Sequence, residues 1–184
     1  GSSASVDHIR KRPAGSSRAR RRRGLFLRRS TRAGWRRGRP ARGLRLAGSV
    51  QTNVERDCIH HCDMDLRILP DGPVIRINQD LGAGSSGCRL DPGALEQAVA
   101  EVEARLTGAR LLIVNKFGKH ESEGRGFRLL MAEALAQGLP VLVGVNGLNQ
   151  AAFDRFADGL AQRLPATDQA VLDWADTALG AVTA

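Results

Sequence analysis

Asn115 and Lys116 end an apolar run, Leu-Leu-Ile-Val at 111–114, and Gly118, Lys119, His120 and Glu121 follow at once. An apolar strand that delivers polar groups to its carboxyl end is a common way for an open α/β sheet to present a site. An amide cannot supply the charge a hard divalent cation prefers. An ammonium group cannot accept a proton from water. These residue types therefore suit the holding of ligand oxygens: Lys119 supplies positive charge, Asn115 orients an oxygen, and Lys116, Gly118 and Glu121 complete the turn.

A second constellation is the glycine loop "GAGSSGCR" at 82–89. Gly82 and Gly87 have the spacing of a phosphate loop, but Cys88 and Arg89 stand where such loops carry Lys and Ser or Thr. Its backbone N–H groups, with Arg89 alongside, suit a nest for an oxyanion such as phosphate or molybdate. Gln79 and Asp80 lead into it and join the expected ligand set with Gly87, Cys88 and Arg89. The competing reading is a loop that does no more than cap a helix.

The run "CIHHC" at 58–62 packs four soft-metal ligands into five residues, too close together for one tetrahedral site. A metal site is expected, if anywhere here, on Cys62, Asp63 and Asp65; the plain alternative is a polar loop with an incidental His pair. Three cysteines, Cys58, Cys62 and Cys88, cannot all pair with one another, and a reducing cytoplasm is expected.

Periodicity indicates what must position these groups. Strands are expected over 44–52, 64–70, 73–79, 109–117 and 140–145, with Asp71-Gly72 turning a hairpin between the second and third. A helix begins after Asp91 as N-cap with Pro92 in its first turn, and Leu95, Val99, Val102 and Leu106 form its stripe. A second spans 126–137 around Phe127, Leu130, Met131 and Leu135. Two more cover 151–164, with Phe153, Phe156, Leu160 and Leu164 inward, and 168–182, with Leu172, Trp174 and Leu179. Apolar strands alternating with amphipathic helices imply an α/β fold in three layers, with a mainly parallel sheet and an added β-hairpin. The strand ends at Thr52-Asn53, Asn115-Lys116 and Asn146 should then meet on one edge of the sheet.

The net charge of +9 over 184 residues misleads, because it is not evenly spread. Residues 1–45 hold 16 of the 28 Lys and Arg and one acid, Asp7; the remainder carries 12 basic and 18 acidic residues and is mildly acidic. The segment 1–43, rich in Arg, Gly, Pro and Ser, cannot bury enough apolar surface to offset chain entropy, so it reads as a disordered arm. Contact with nucleic acid is expected only through this arm. The same composition also arises from a GC-rich gene read out of frame or from a wrong start. A domain at 44–184 follows. No apolar run approaches the length of a membrane span.

The run "LLIVNKFGKHESEGRGFRLLMAEALAQGLPVLVGVN" resembles a segment of small nucleoside-triphosphatases of the P-loop class. With "LAGSVQTN", "CDMDLRIL" and "IRINQDLGAGSSGCRLDPGALE", it is more closely similar to a bacterial family labelled a domain of unknown function, often encoded beside molybdate-transport or molybdoenzyme genes. The resemblance covers about 44–164. It implies a P-loop NTPase type of sheet and a small anionic ligand, either a nucleotide or molybdate or phosphate, with a link to molybdenum homeostasis or cofactor assembly. Gly118, Lys119 and Glu121 match the triphosphatase motif. Asn115 replaces the magnesium-supporting Asp and Lys116 the water-activating Glu, and GxxxxGK[ST] is absent from the chain. ATP hydrolysis is therefore not expected. The alternative is a non-catalytic interaction or regulatory domain whose arm contacts nucleic acid or an acidic partner.

Overall fold

A computed structural model of the protein describes residues 4–9, 45–55, 62–79, 89–165 and 167–180, the side chains of 4–9, 53–55 and 62–63 excepted. Seven strands form one sheet: β1 (Ala4–Ile9), β2 (Leu46–Glu55), β3 (Cys62–Leu69), β4 (Val74–Arg76), β7 (Leu111–Phe117), β8 (Val141–Asn146) and β9 (Ala161–Arg163), in the order β4-β3-β2-β7-β8-β1-β9. Two short strands, β5 (Asn78–Gln79) and β6 (Arg89–Leu90), pair separately. The helices are α1 (Pro92–Glu103), α2 (Lys119–Ser122), α3 (Arg128–Ala136), α4 (Gln150–Ala157) and α5 (Asp168–Gly180). None of the described helices is long and apolar enough to cross a membrane.

The centre of the sheet is parallel: β2 runs alongside β7, and β7 alongside β8. Antiparallel strands flank it on both sides, the expected hairpin β3–β4 on one and β1–β9 on the other. Central strands buried on both faces must be apolar, and β7 over 111–114 and β8 over 141–145 are. Alternation sends Leu112, Val114, Val143 and Val145 to one face, where they pack with Leu95, Val102, Leu130, Met131 and Phe153 of α1, α3 and α4. It sends Leu111, Ile113 and Leu142 to the other, against Val171, Trp174 and Leu179 of α5. Three layers result.

The sequence-based elements depart from the structure at several places; the strand expected over 73–79 divides into β4 and β5, and Leu160, expected inward, is exposed. The helix expected over 151–164 stops at Ala157; Asp158 takes the left-handed conformation and 161–163 becomes β9. Leu164 therefore joins the α5 side of the core rather than a helical stripe. Leu172 faces solvent, and Val171, Ala175 and Ala178 do the packing beside Trp174 and Leu179. Residues 4–9, assigned to the disordered arm, form β1, antiparallel to both β8 and β9. Backbone pairing along the open side of β8 satisfies main-chain groups whatever the side chains are, so no alternating pattern announces it. The rest of the arm lies outside the described residues, as do Asp80, Gly87 and Cys88 of the glycine loop, Cys58 and the His pair.

Candidate functional site

The carboxyl end of β7 is bulged. Val114 pairs with Val143, but the next paired residues are Phe117 and Val145, so two residues of β7, Asn115 and Lys116, oppose Gly144 alone. A bulge inserts one residue and flips the alternation beyond it. Without it, Lys116 would point into the α3–α4 core and Phe117 away from it. With it, Phe117 is fully buried on the same face as Val114. Its ring lies 5.3 Å from that of Phe153 and 5.7 Å from that of Phe156. Asn115 and Lys116 are thereby released to the sheet edge.

Gly144 makes room for the bulge: a Cβ there would collide with the Asn115 carbonyl. We expect Gly144→Ala to cost about 2–4 kcal/mol of stability, in the range for backbone displacement in a packed core. Urea unfolding checks this.

After Gly118 the chain makes one helical turn, α2, organised by Glu121. This carboxylate is 4% exposed. Its Oε2 accepts from the Gly118 N–H at 2.9 Å and its Oε1 from the Phe127 N–H at 3.1 Å. The Glu121 carbonyl accepts from Arg128, whose guanidinium lies 4.9 Å over the Phe156 ring. The Gly126 N–H donates to Glu96 on α1 at 2.9 Å. The loop is thus anchored to three elements, and both oxygens of Glu121 are engaged in holding it.

These parts enclose a cleft of about 490 Å³ at the carboxyl ends of β2, β7 and β8. Its rim carries Arg89, Asn115, Lys116, Gly118, Lys119 and His120; Asn146 and Asn149 close the β8 side. Met64, Leu66, Ile77, Leu90, Leu95 and Phe127 line it further, together with Ser49 and Gln51 of β2. Lys119 and Arg89, far apart in sequence, both line it. The side chain of Lys119 is exposed and reaches Glu123 only at 3.8 Å. Arg125 donates to the Glu123 carboxylate and holds its pKa below the usual value. Among the described residues, the Asn115 amide has one long contact, 3.5 Å to Gln51 Oε1. Asn146 is committed locally: its Oδ1 accepts from the Asn149 N–H at 3.0 Å.

Of the expected ligand set, Asn115, Lys116, Gly118, Lys119, Glu121 and Arg89 surround the cleft. Gln79 is the backbone partner of Arg89 across β5–β6 and does not line it. From β2 the contribution is Ser49 and Gln51, not Thr52, because alternation aligns these two with Ala47 on the α1 face. Ser49 escaped notice because a serine inside an apolar strand carries no motif. It is 1% exposed, and its Oγ has no hydrogen-bond partner among the described residues.

The metal reading is not supported at Asp65. Its carboxylate is bound by Arg76, 3.0 Å away, and alternation sets it on the face of β3 opposite Met64 and Leu66. Among the described residues no group of three His, Cys, Asp or Glu stands together. Cys62 and Asp63 are placed only by their backbone, in register with Glu55 and Val54.

Over 133 residues, 72% of its length, the chain is 35% identical to the molybdenum import ATP-binding protein ModC 2 of Bradyrhizobium diazoefficiens; the match spans 15% of that protein. No solved structure matches the chain. Residues 33–174 match the family described as "Protein of unknown function (DUF2478)", and the chain belongs to that family.

Proposed function

We propose that this protein binds a nucleotide or a small oxyanion in the cleft, on a sheet of the P-loop NTPase type that has lost its hydrolytic groups. The observation that carries the reading is the convergence of Arg89, Lys116 and Lys119 on one hollow at the ends of the parallel strands. Among the described residues, the Arg89 and Lys116 side chains make no ion pair, so their charge is available to a ligand. Glu121 does not oppose them strongly, since two backbone N–H groups hold its carboxylate. Asn115 and Lys116 stand where hydrolysis would need carboxylates, so binding without turnover is the expected behaviour. The similarity to ModC 2, whose name specifies molybdenum import and ATP binding, supports a role in handling molybdenum.

Binding should appear as thermal stabilisation by ATP, GTP, phosphate or molybdate, since a ligand at a hundred times its Kd contributes about 2.7 kcal/mol. Lys116→Ala and Arg89→Ala should each weaken binding roughly tenfold or more, the range for a charged hydrogen bond. Unchanged affinity in both variants, or no stabilisation by any of the four ligands, would overturn the assignment.

A further inference from the structure

The cleft has two chemically distinct parts. Arg89, Lys116 and Lys119 suit an anionic group, whereas Met64, Leu66, Ile77, Leu90, Leu95 and Phe127 present hydrocarbon. A bare tetrahedral oxyanion would use the first part and leave the half-buried Met64 and Leu90 uncovered, above a floor of Leu66, Ile77, Leu95 and Phe127 that is already buried. The volume, about 490 Å³, falls among sites that enclose an organic ligand. Between the parts lie hydrogen-bonding groups with capacity to spare. Among the described residues, the Asn115 amide is held by a 3.5 Å contact to Gln51 and the Ser49 hydroxyl is buried without a partner. An acyl chain would cover the apolar wall but leave Ser49 and Asn115 unused. A sugar phosphate would use the polar groups but not the wall.

We infer that the ligand is a phosphorylated heterocycle, an inference that rests on the anionic-ligand reading above. A flat ring lies against the apolar wall, Asn115 and Ser49 read its polar edge, and the phosphate meets Arg89, Lys116 and Lys119. An aromatic heterocycle combines an apolar face with donors and acceptors at its edge, which is the combination this cleft presents. A purine nucleotide and flavin mononucleotide share that chemistry.

Calorimetric titration of the full chain with AMP, GMP, flavin mononucleotide, adenosine, ribose 5-phosphate, inorganic phosphate and molybdate tests this. At least one ring-bearing phosphate should bind tenfold or more tighter than ribose 5-phosphate, adenosine and both inorganic anions, and the three ring-bearing phosphates tell purine from flavin. Leu90→Ser, at a half-buried wall position, should weaken that ligand about tenfold and leave inorganic phosphate unaffected. Met64→Gln, close in size, should act in the same direction if Leu90→Ser fails to fold, and Ser49→Ala should weaken the ring-bearing ligand alone. If phosphate or molybdate binds as tightly as every nucleotide, and neither wall variant matters, the anion site stands and the heterocycle inference falls. If nothing binds, both fall.

Discussion

Gly48→Ala should remove about 4 kcal/mol of stability or more, a large fraction of what a domain of this size has. Gly48 lies on β2 in register with Ile113 of β7, in the first of the two parallel pairings. Its φ is +137°, a conformation open to glycine and rarely adopted by other residues, and a Cβ there would overlap the Ile113 carbonyl. Relief would require β2 to move off β7. That would carry Ser49 and Gln51 out of the cleft and disturb Ala47 in the core. The adjacent substitution gives the contrast: Ser49→Ala removes a buried hydroxyl that has no partner among the described residues, and should leave stability unchanged or raise it by up to about 1 kcal/mol. Urea unfolding of the two variants checks the pair. Comparable midpoints would mean that β2 does not approach β7 as closely as described. Should Ser49→Ala be the more stable protein and the weaker binder, the unpaired hydroxyl is kept for the ligand.

What could be read from the chain beforehand follows the physical source of each signal. Local rules worked. Asp91 caps α1 by accepting from the Ala94 N–H at 3.1 Å, Pro92 opens the helix, and Asp71-Gly72 turns the hairpin β3–β4. Apolar runs identified β7 and β8 because strands buried on both faces need no polar alternation. The bulge at Asn115 and Lys116 was not legible: it depends on Gly144 in another strand, and nothing within 111–117 announces an extra residue. For the same reason the strand-end residues were recognised while Ser49 and Gln51 were not. Their placement follows from the register of β2 on β7, a relation between segments some sixty residues apart. Glu121 was legible as part of a motif but not in its role. Sequence spacing suggested a ligand contact, whereas the folded loop uses both its carboxylate oxygens.

Glu121→Ala should destabilise the protein by roughly 3–5 kcal/mol, because it orphans two buried backbone donors at once. The Gly118 and Phe127 N–H groups have their acceptors in this one carboxylate, at 2.9 and 3.1 Å, and both residues are buried. Each unsatisfied donor costs about 1–3 kcal/mol, and the space left by the side chain adds to this. Glu121→Gln keeps one acceptor oxygen but turns an amide N–H₂ toward the other donor, so it should cost less than Ala and still more than a surface change. The two variants separate a positioning role from a ligand contact. If Glu121 acts by holding the loop, affinity should fall in step with the loss of stability, Ala more than Gln. Amide hydrogen exchange at Gly118 and Phe127 should speed up in the same order, as the turn carrying Lys119 and His120 loosens. If Glu121 instead touches the ligand, Gln would lose binding out of proportion to its stability and leave the exchange of both amides slow. The first outcome is expected, since a carboxylate with both oxygens committed to backbone donors has little left to offer a ligand.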